Sequence, residues 1–447
     1  MDVIIPEYYK EYGLYTTRSK MLPSILDGLI PVHRRMILGA YSIAKNSFVK
    51  TVKVMGEVIG KWHPHAEQVG AIEWCVQNGF LEGSGWWGSK LGSDPSKCAA
   101  PRYTSVKLGK KSYNLGLKYV DYVEWKPDEL DPEPVAFPTL LPFVLVGKYI
   151  FSLPAFGRKT TIPTYNEKDL IERLFDKNKV IKPKIIGTDC ISNKQELKDL
   201  LEKSEKNVRF PIKFQVKHFI DEKDQKIYIL SCPDFKLEKI IKKFGKLWTS
   251  GDIGYVEIPV SKDLKKKLKA TNDETVCFVF SPAKKRGASK IFEDMVKVVD
   301  KLKFMIHFEV VVFDNHNNCM RQVSVDEFLQ SSFNYFSQTF NTYLTKEIAR
   351  LQQLLEEYEI IKAIQPYLNK FITSKAFYET KLKELEKLTG YSADKINYVV
   401  NKYRIKTILN FSYDTKEVKE KLEETKKKLK NIELEIKNEY ESFLNNL

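Results

Sequence analysis

The sequence predicts an α+β chain of several domains: a helix-turn-helix region first, a mixed α/β module in the middle, and long paired helices at the end. Three observations point there. Two short helical segments joined by a glycine-containing turn lie in the N-terminal region. Alternating apolar runs recur from Phe210 to Phe280, and from Asp326 onward apolar residues return at steps of three and four. A chain of 447 residues has room for two to four domains with real cores.

Composition narrows the function classes. With 43% hydrophobic and 29% charged residues the chain reads as globular. A formal net charge of +15 favours a polyanionic partner, because each phosphate neutralised by Lys or Arg releases a counterion. The six cysteines, Cys75, Cys98, Cys190, Cys232, Cys277 and Cys319, form no CxxC, which fits a reducing compartment and neither a disulfide framework nor a zinc site. The start, Met1 to Glu7, lacks the pattern of a signal peptide, and no apolar run reaches membrane-spanning length, so a cytoplasmic protein is expected.

Along the chain, Pro6 to Tyr15 reads as a short amphipathic helix carrying several tyrosines. Asp27-Gly28 marks a turn, and Pro31 opens a helix that continues through Met36, Ile37 and Tyr41. His33, Arg34 and Arg35 fall near its start. They suit either a phosphate, next to helix-end N–H groups, or a solvated basic face. The run from Val54 to His65 leads into a helix from about Ala66 to Gln77, completing the helix-turn-helix pattern. His63 and His65 are an HxH pair without a third or fourth ligand at suitable spacing, so packing or phosphate hydrogen bonds explain them better than a metal. The segment Gly83 to Ser89, with Trp86 and Trp87, lacks both a P-loop ending and the GxGxxG spacing; it predicts a tight hairpin.

Tyr103 follows Arg102 at the end of this glycine-punctuated region and is the candidate nucleophile. A phenol with a pKa of about 10 needs cationic neighbours to favour phenolate and to absorb charge on a phosphate under attack. Arg102 is such a neighbour.

In order, Asp27-Gly28-Leu29, Pro31 to Arg35, Gly56 to His65, Gly83 to Ser89 and Ala99 to Thr104 resemble the DNA-breakage subunit of type IIA topoisomerases. That family includes the gyrase A and topoisomerase IV C chains and the short phage medium subunit. The likeness continues through Glu133-Pro134, Phe137-Pro138-Thr139, Leu141-Pro142 and Ile162 to Asn166. It implies that Tyr103 forms a 5′-phosphotyrosyl link to DNA and that Arg102 stabilises the transition state. It places Lys20, His33, Arg34, Arg35, Lys61, His63, His65 and Ser89 around the cleaved phosphate or its neighbours. Leu153 or Pro154 falls where the family inserts an apolar wedge between base pairs, a buried loop residue being the other reading. Ala66-Glu67-Gln68 replaces a Gly-Asp-Ser typical of bacterial members, and Pro101 stands where methionine or serine is more usual.

The resemblance also implies an architecture. Residues 1–149 would form a winged-helix domain bearing the tyrosine, 150–320 a tower domain, and 321–447 an antiparallel coiled coil ending in a helical dimerisation knob. Lysine clusters at Lys262 to Lys267 and Lys284 to Arg286 either hold flanking DNA or face solvent. Two helices, one through Phe333 to Tyr358 and one from Asp414 to Phe443, would pair, with a small helical knob at about 365–412 between them. No ATP-binding glycine motif and no acidic DxD cluster with a distant Glu stands out, so Mg²⁺ and ATP are expected on a partner subunit with ATPase and Toprim domains. The expected assembly is a homodimer through the C-terminal gate, with that partner, on double-stranded DNA and off the membrane. The chain's end at Leu447 leaves no room for a DNA-wrapping domain; relaxation and decatenation by a phage-like enzyme are expected. The alternative is a winged-helix architectural protein that binds DNA without cutting it.

Overall fold

The computed structural model describes residues 4–16, 21–63, 68–126, 131–155, 158–373, 376–410 and 415–447. Lys20, His65, Ala66-Glu67 and the helix-opening Asp414 lie outside the described residues. The described chain is mixed α and β, with many helices and several small sheets. It forms two compact units, one of residues 1–336 with 440–447 and one of residues 337–439.

In the first unit, helices Pro31–Ile43, Thr51–Lys61 and Val69–Gln77 surround a small antiparallel sheet. Pro31 sits in the first turn of its helix, where the missing N–H costs nothing. Met36, Ile37 and Ala40 on that helix and Val54, Val58 and Ile72 on the other two are fully buried, so helical spacing of apolar residues explains the packing. The sheet order is Val49–Lys50, Ser105–Leu108, Leu81–Ser84. Ser84 therefore pairs with Ser105, and residues 85–104 form one long excursion between two paired strands. This corrects the expected tight hairpin at Gly83 to Ser89. Gly85 and Gly88 have φ of +96° and +75°, conformations that carry the backbone against Thr104 and against residues 96–98.

The turn at Asp27-Gly28 is as expected, with Gly28 at φ +73° and its N–H donating to Ser24 O at 2.8 Å. Next comes an antiparallel ribbon, Phe151–Ala155 with Arg158–Ile162, in which Leu153 faces Thr160 and Pro154 faces Lys159. Thr160, buried, ties this ribbon to the backbone of Val311 through its hydroxyl.

The strands read from alternation are present. Phe210, Ile212, Phe214 and Val216 are buried on one face of Phe210–Val216, which lies between Lys303–Phe308 and Thr188–Cys190. A second sheet has the order His218–Asp221, Lys226–Leu230, Val276–Pro282, Ile253–Pro259, antiparallel throughout. Arg173, on helix Glu167–Phe175, is buried between Asp326 at 2.6 Å and Glu202 at 3.0 Å.

Helix Val325–Ile364 runs for 40 residues from the first unit into the second. Within the second unit Leu351 packs on Val418 and Leu422 of helix Thr415–Lys430. The helix read as continuous to Phe443 breaks at Asn431, whose carbonyl accepts from Leu434 and Glu435 and starts helix Ile432–Asn445. Asn competes for backbone hydrogen bonds and favours such a cap over a helix interior. Between Ile364 and Thr415 short helices enclose a core that includes Leu368, Leu385, Ile396, Val399 and Ile408.

Candidate active site

The strand Ser105–Leu108 fixes where Tyr103 goes. Lys50 pairs with Ser105, so Thr104 meets the first residue of helix Thr51–Lys61: Thr51 N–H donates to Thr104 O at 3.2 Å, and the two hydroxyls lie 2.8 Å apart in a buried contact. One residue before this anchor the chain turns, Tyr103 N–H donating to Ala100 O at 2.9 Å, and the Tyr103 side chain emerges 66% exposed. The Arg102 guanidinium carbon lies 4.7 Å from the centre of the Tyr103 ring, a cation over an aromatic face. The geometry presents a phenol and a guanidinium together to solvent at the end of a loop anchored at both sides.

The other predicted residues divide into three settings. Arg35, His63 and Glu133 come together: Arg35 forks onto Glu133 through two hydrogen bonds of 2.7 Å, and its Nη1 lies 3.0 Å from His63 Nδ1. Glu133, named from sequence only as part of the Glu133-Pro134 likeness, is therefore a fixed partner of that arginine. The pairing spans 98 residues, and no local signal announces it.

Arg34 and His33 point inward. The Arg34 guanidinium is buried against Asp27, and its contact with a phosphate, expected from sequence, would require that pair to open. His33 is buried, its ring stacked on Trp74 with centroids 3.9 Å apart and edge-on to Phe151 at 6.3 Å. Burial pushes its pKa down to about 3, so the ring is neutral at physiological pH and is no part of a cationic cluster. Among the described residues its Nδ1 has no hydrogen-bond partner. Trp74, which sequence reasoning passed over, joins this histidine to the base of the Phe151–Ala155 ribbon.

Lys61 is on the surface, paired with Glu57 at 2.7 Å one helical turn away. The Ser89 hydroxyl turns back onto its own loop, donating to Leu91 O at 3.2 Å and accepting from Leu91 N–H at 3.1 Å. On the ribbon, Pro154 is exposed and Leu153 half-buried; Phe156 and Gly157 lie outside the described residues. Among the described residues no group of three or more His, Cys, Asp or Glu side chains is placed to hold a metal ion, and no helix is long and apolar enough to cross a membrane.

The family model for the A subunit of DNA gyrase/topoisomerase IV matches residues 20–446. The chain is 31% identical over 187 residues to the DNA gyrase A subunit of Neisseria gonorrhoeae, covering 38% of this chain and 20% of that protein. It is 33% identical over 179 residues to the DNA gyrase A subunit of Dehalogenimonas lykanthroporepellens, covering 37% and 21%. With the DNA topoisomerase 4 A subunit of Rickettsia felis it shares 31% over 183 residues, covering 38% and 24%. The matched stretch thus spans about a fifth to a quarter of the length of these relatives. With the family model matched from residue 20 to residue 446, the chain belongs to the family of DNA gyrase and topoisomerase IV A subunits.

Proposed function

We propose that this chain is the DNA-breakage subunit of a type IIA topoisomerase, and that Tyr103 is its nucleophile. The observation that carries the reading is the exposed Tyr103 phenol with the Arg102 guanidinium against it, on a chain whose family match runs nearly end to end. In the proposed step the Tyr103 oxygen bonds to a backbone phosphorus as the bond from phosphorus to the 3′ oxygen breaks. The phenolic proton is given up to solvent and the leaving 3′ oxygen takes one up, so the strand is left with a free 3′-hydroxyl and a 5′-phosphotyrosyl link. Attack by that hydroxyl reverses the step and releases the tyrosine. Such a transfer depends on alignment and charge stabilisation, which a fixed loop and a neighbouring guanidinium supply.

The helices Pro31–Ile43, Thr51–Lys61 and Val69–Gln77 with their three-stranded sheet serve in this reading as a winged-helix domain within residues 1–149. Residues 150–320 act as the tower, and residues 321–447 as an antiparallel coiled coil with a dimerisation knob. Arg102, exposed, and Lys61, on the surface, are in this reading the described residues that meet phosphates; His63 is buried and Arg35 is held by Glu133, so their phosphate role requires that cluster to open. Leu153 or Pro154, on the ribbon, would wedge a base step. Lys20 and His65 keep their assignment from the family resemblance alone. Mg²⁺ and ATP belong, in this reading, to a partner subunit with Toprim and ATPase domains, and the dimer passes one duplex through another to relax and decatenate.

The test is to mix the chain with its ATPase/Toprim partner, Mg²⁺ and duplex DNA, then denature. Protein covalently attached to 5′ ends, absent with Tyr103→Phe, is the expected result. DNA binding with no covalent product from the wild type would instead favour an architectural protein.

A further inference from the structure

Resting on the breakage reading above, we propose that Glu257 is a positioning residue for Tyr103, clamping the loop that delivers the tyrosine to the edge strand Ile253–Pro259. The Glu257 Oε2 accepts the Ser93 N–H at 2.9 Å and the Ser93 hydroxyl at 2.6 Å. Beside it the Gly92 N–H donates to the buried Ser231 hydroxyl at 2.9 Å. Gly92 sits at φ +96°, and a Cβ there would stand 2.7 Å from Glu257 Oε1, so glycine is what lets the carboxylate come so close.

From Ser93 to the phenol the backbone is tied at short intervals. Ser89 and Ser96 exchange two hydrogen bonds of 3.0 Å, Ala99 N–H donates to Trp86 O at 2.9 Å, and Tyr103 N–H closes onto Ala100 O at 2.9 Å. Among the described residues the Tyr103 hydroxyl has no hydrogen-bond partner, so where it points is set by this backbone and by Arg102. In-line attack loses rate steeply with small displacements of the nucleophile. A clamp from a strand more than a hundred residues away thereby fixes the alignment of the tyrosine, and it ties that alignment to the sheet that the reading above assigns to the tower.

Electrostatics alone predicts the opposite of what the clamp predicts. Removing an acidic side chain from a chain of net charge +15 strengthens its attraction for phosphates. The clamp predicts slower cleavage. Glutamine separates the two, since it removes the charge and keeps an acceptor oxygen for Ser93.

The experiment uses the full chain with its ATPase/Toprim partner, Mg²⁺ and a linear duplex, and reads the rate of covalent 5′-adduct formation, DNA affinity at fixed salt and melting temperature. Glu257→Ala is expected to slow adduct formation by about fivefold to tenfold, the scale of losing one hydrogen bond, without lowering DNA affinity or melting temperature. Glu257→Gln is expected to restore the rate to within about twofold of wild type. An unchanged rate in Glu257→Ala, a Glu257→Gln rate as low as that of alanine, or a fall in affinity or melting that matches the fall in rate would each overturn the positioning role. Absence of any adduct from the wild type overturns the breakage reading and this role with it, whereas a normal wild-type adduct matched by Glu257→Ala overturns the clamp alone.

Discussion

Asp27 and Arg34 meet inside the protein through two hydrogen bonds, Arg34 Nε to Oδ2 at 2.6 Å and Nη2 to Oδ1 at 2.9 Å. The carboxylate also accepts the N–H groups of Leu29 at 2.9 Å and Phe137 at 3.0 Å, and the Asp27 carbonyl accepts from Phe143 at 2.9 Å. One buried aspartate thus ties the start of helix Pro31–Ile43 to the segment around Phe137 and Phe143. Removing one member of such a pair leaves the other buried and uncompensated. Arg34→Ala is expected to destabilise the first unit by about 3 kcal/mol or more, read as a large drop in melting temperature. A variant that melts like wild type but binds DNA weakly would instead assign Arg34 to phosphate contact.

His33 makes stability depend on pH. The unfolded chain takes up this proton near pH 6.5, while the folded chain, with the ring buried against Trp74, resists it until about pH 3. The unfolded state therefore binds more protons between those limits, and stability falls as pH drops across that window, by about 1 kcal/mol per pH unit. His33→Phe keeps a ring for the stack and removes the titration. Urea unfolding at pH 7, 6 and 5 is expected to show wild type losing stability relative to the variant as pH falls. Parallel curves would mean that the ring is protonated or exposed in the folded protein.

In the second unit Glu357, 3% exposed, accepts hydrogen bonds from Lys402 at 2.7 and 2.8 Å and from the Tyr403 hydroxyl at 2.5 Å. Burial alone would raise this carboxyl's pKa; the bonds from Lys402 and Tyr403 outweigh burial and hold it below the usual range. A depressed carboxyl pKa contributes stability that is present above the unfolded value and lost as pH falls through the folded one. Acid should loosen helix Ala393–Tyr403 from the long helix, and Glu357→Gln should do so already at pH 7. Amide hydrogen exchange across Ile396 to Val400 reads this; equal protection in both proteins at pH 7 would remove Glu357 as the latch.

The ribbon carrying Leu153 and Pro154 gives a third kind of test. If its end wedges a base step, Leu153→Ala or Pro154→Ala should reduce the bend of a bound duplex, measured by energy transfer between dyes on its two ends, more than it reduces affinity. Unchanged bending in both variants would make the ribbon end a surface feature.

What the sequence made legible were features fixed by neighbours in the chain. The Asp27-Gly28 turn, the helix opening at Pro31 and the alternation of Phe210 to Val216 all depend on local chemistry, and each is found. What it hid depends on tertiary partners. His33 and Arg34 look like a basic helix start, and only the fold shows that Trp74 stacks on one and Asp27 neutralises the other. Glu133 in a proline-rich stretch gives no sign that Arg35 will reach it. The glycines at 85 and 88 suggested a short turn, whereas strand pairing of Ser84 with Ser105 makes them stations along a long loop. Asn431 interrupts a helix whose apolar spacing runs on past it.

The most direct test of the central claim is the covalent bond itself. Duplex DNA labelled at its 3′ ends or internally is incubated with the chain, its ATPase/Toprim partner and Mg²⁺, denatured and digested, and the modified peptide is sequenced by mass spectrometry. The account predicts a nucleotide attached through phosphate to Tyr103, lost in Tyr103→Phe and reduced by about a hundredfold in Arg102→Ala. A nucleotide on any other residue, or an adduct that survives Tyr103→Phe, would contradict it.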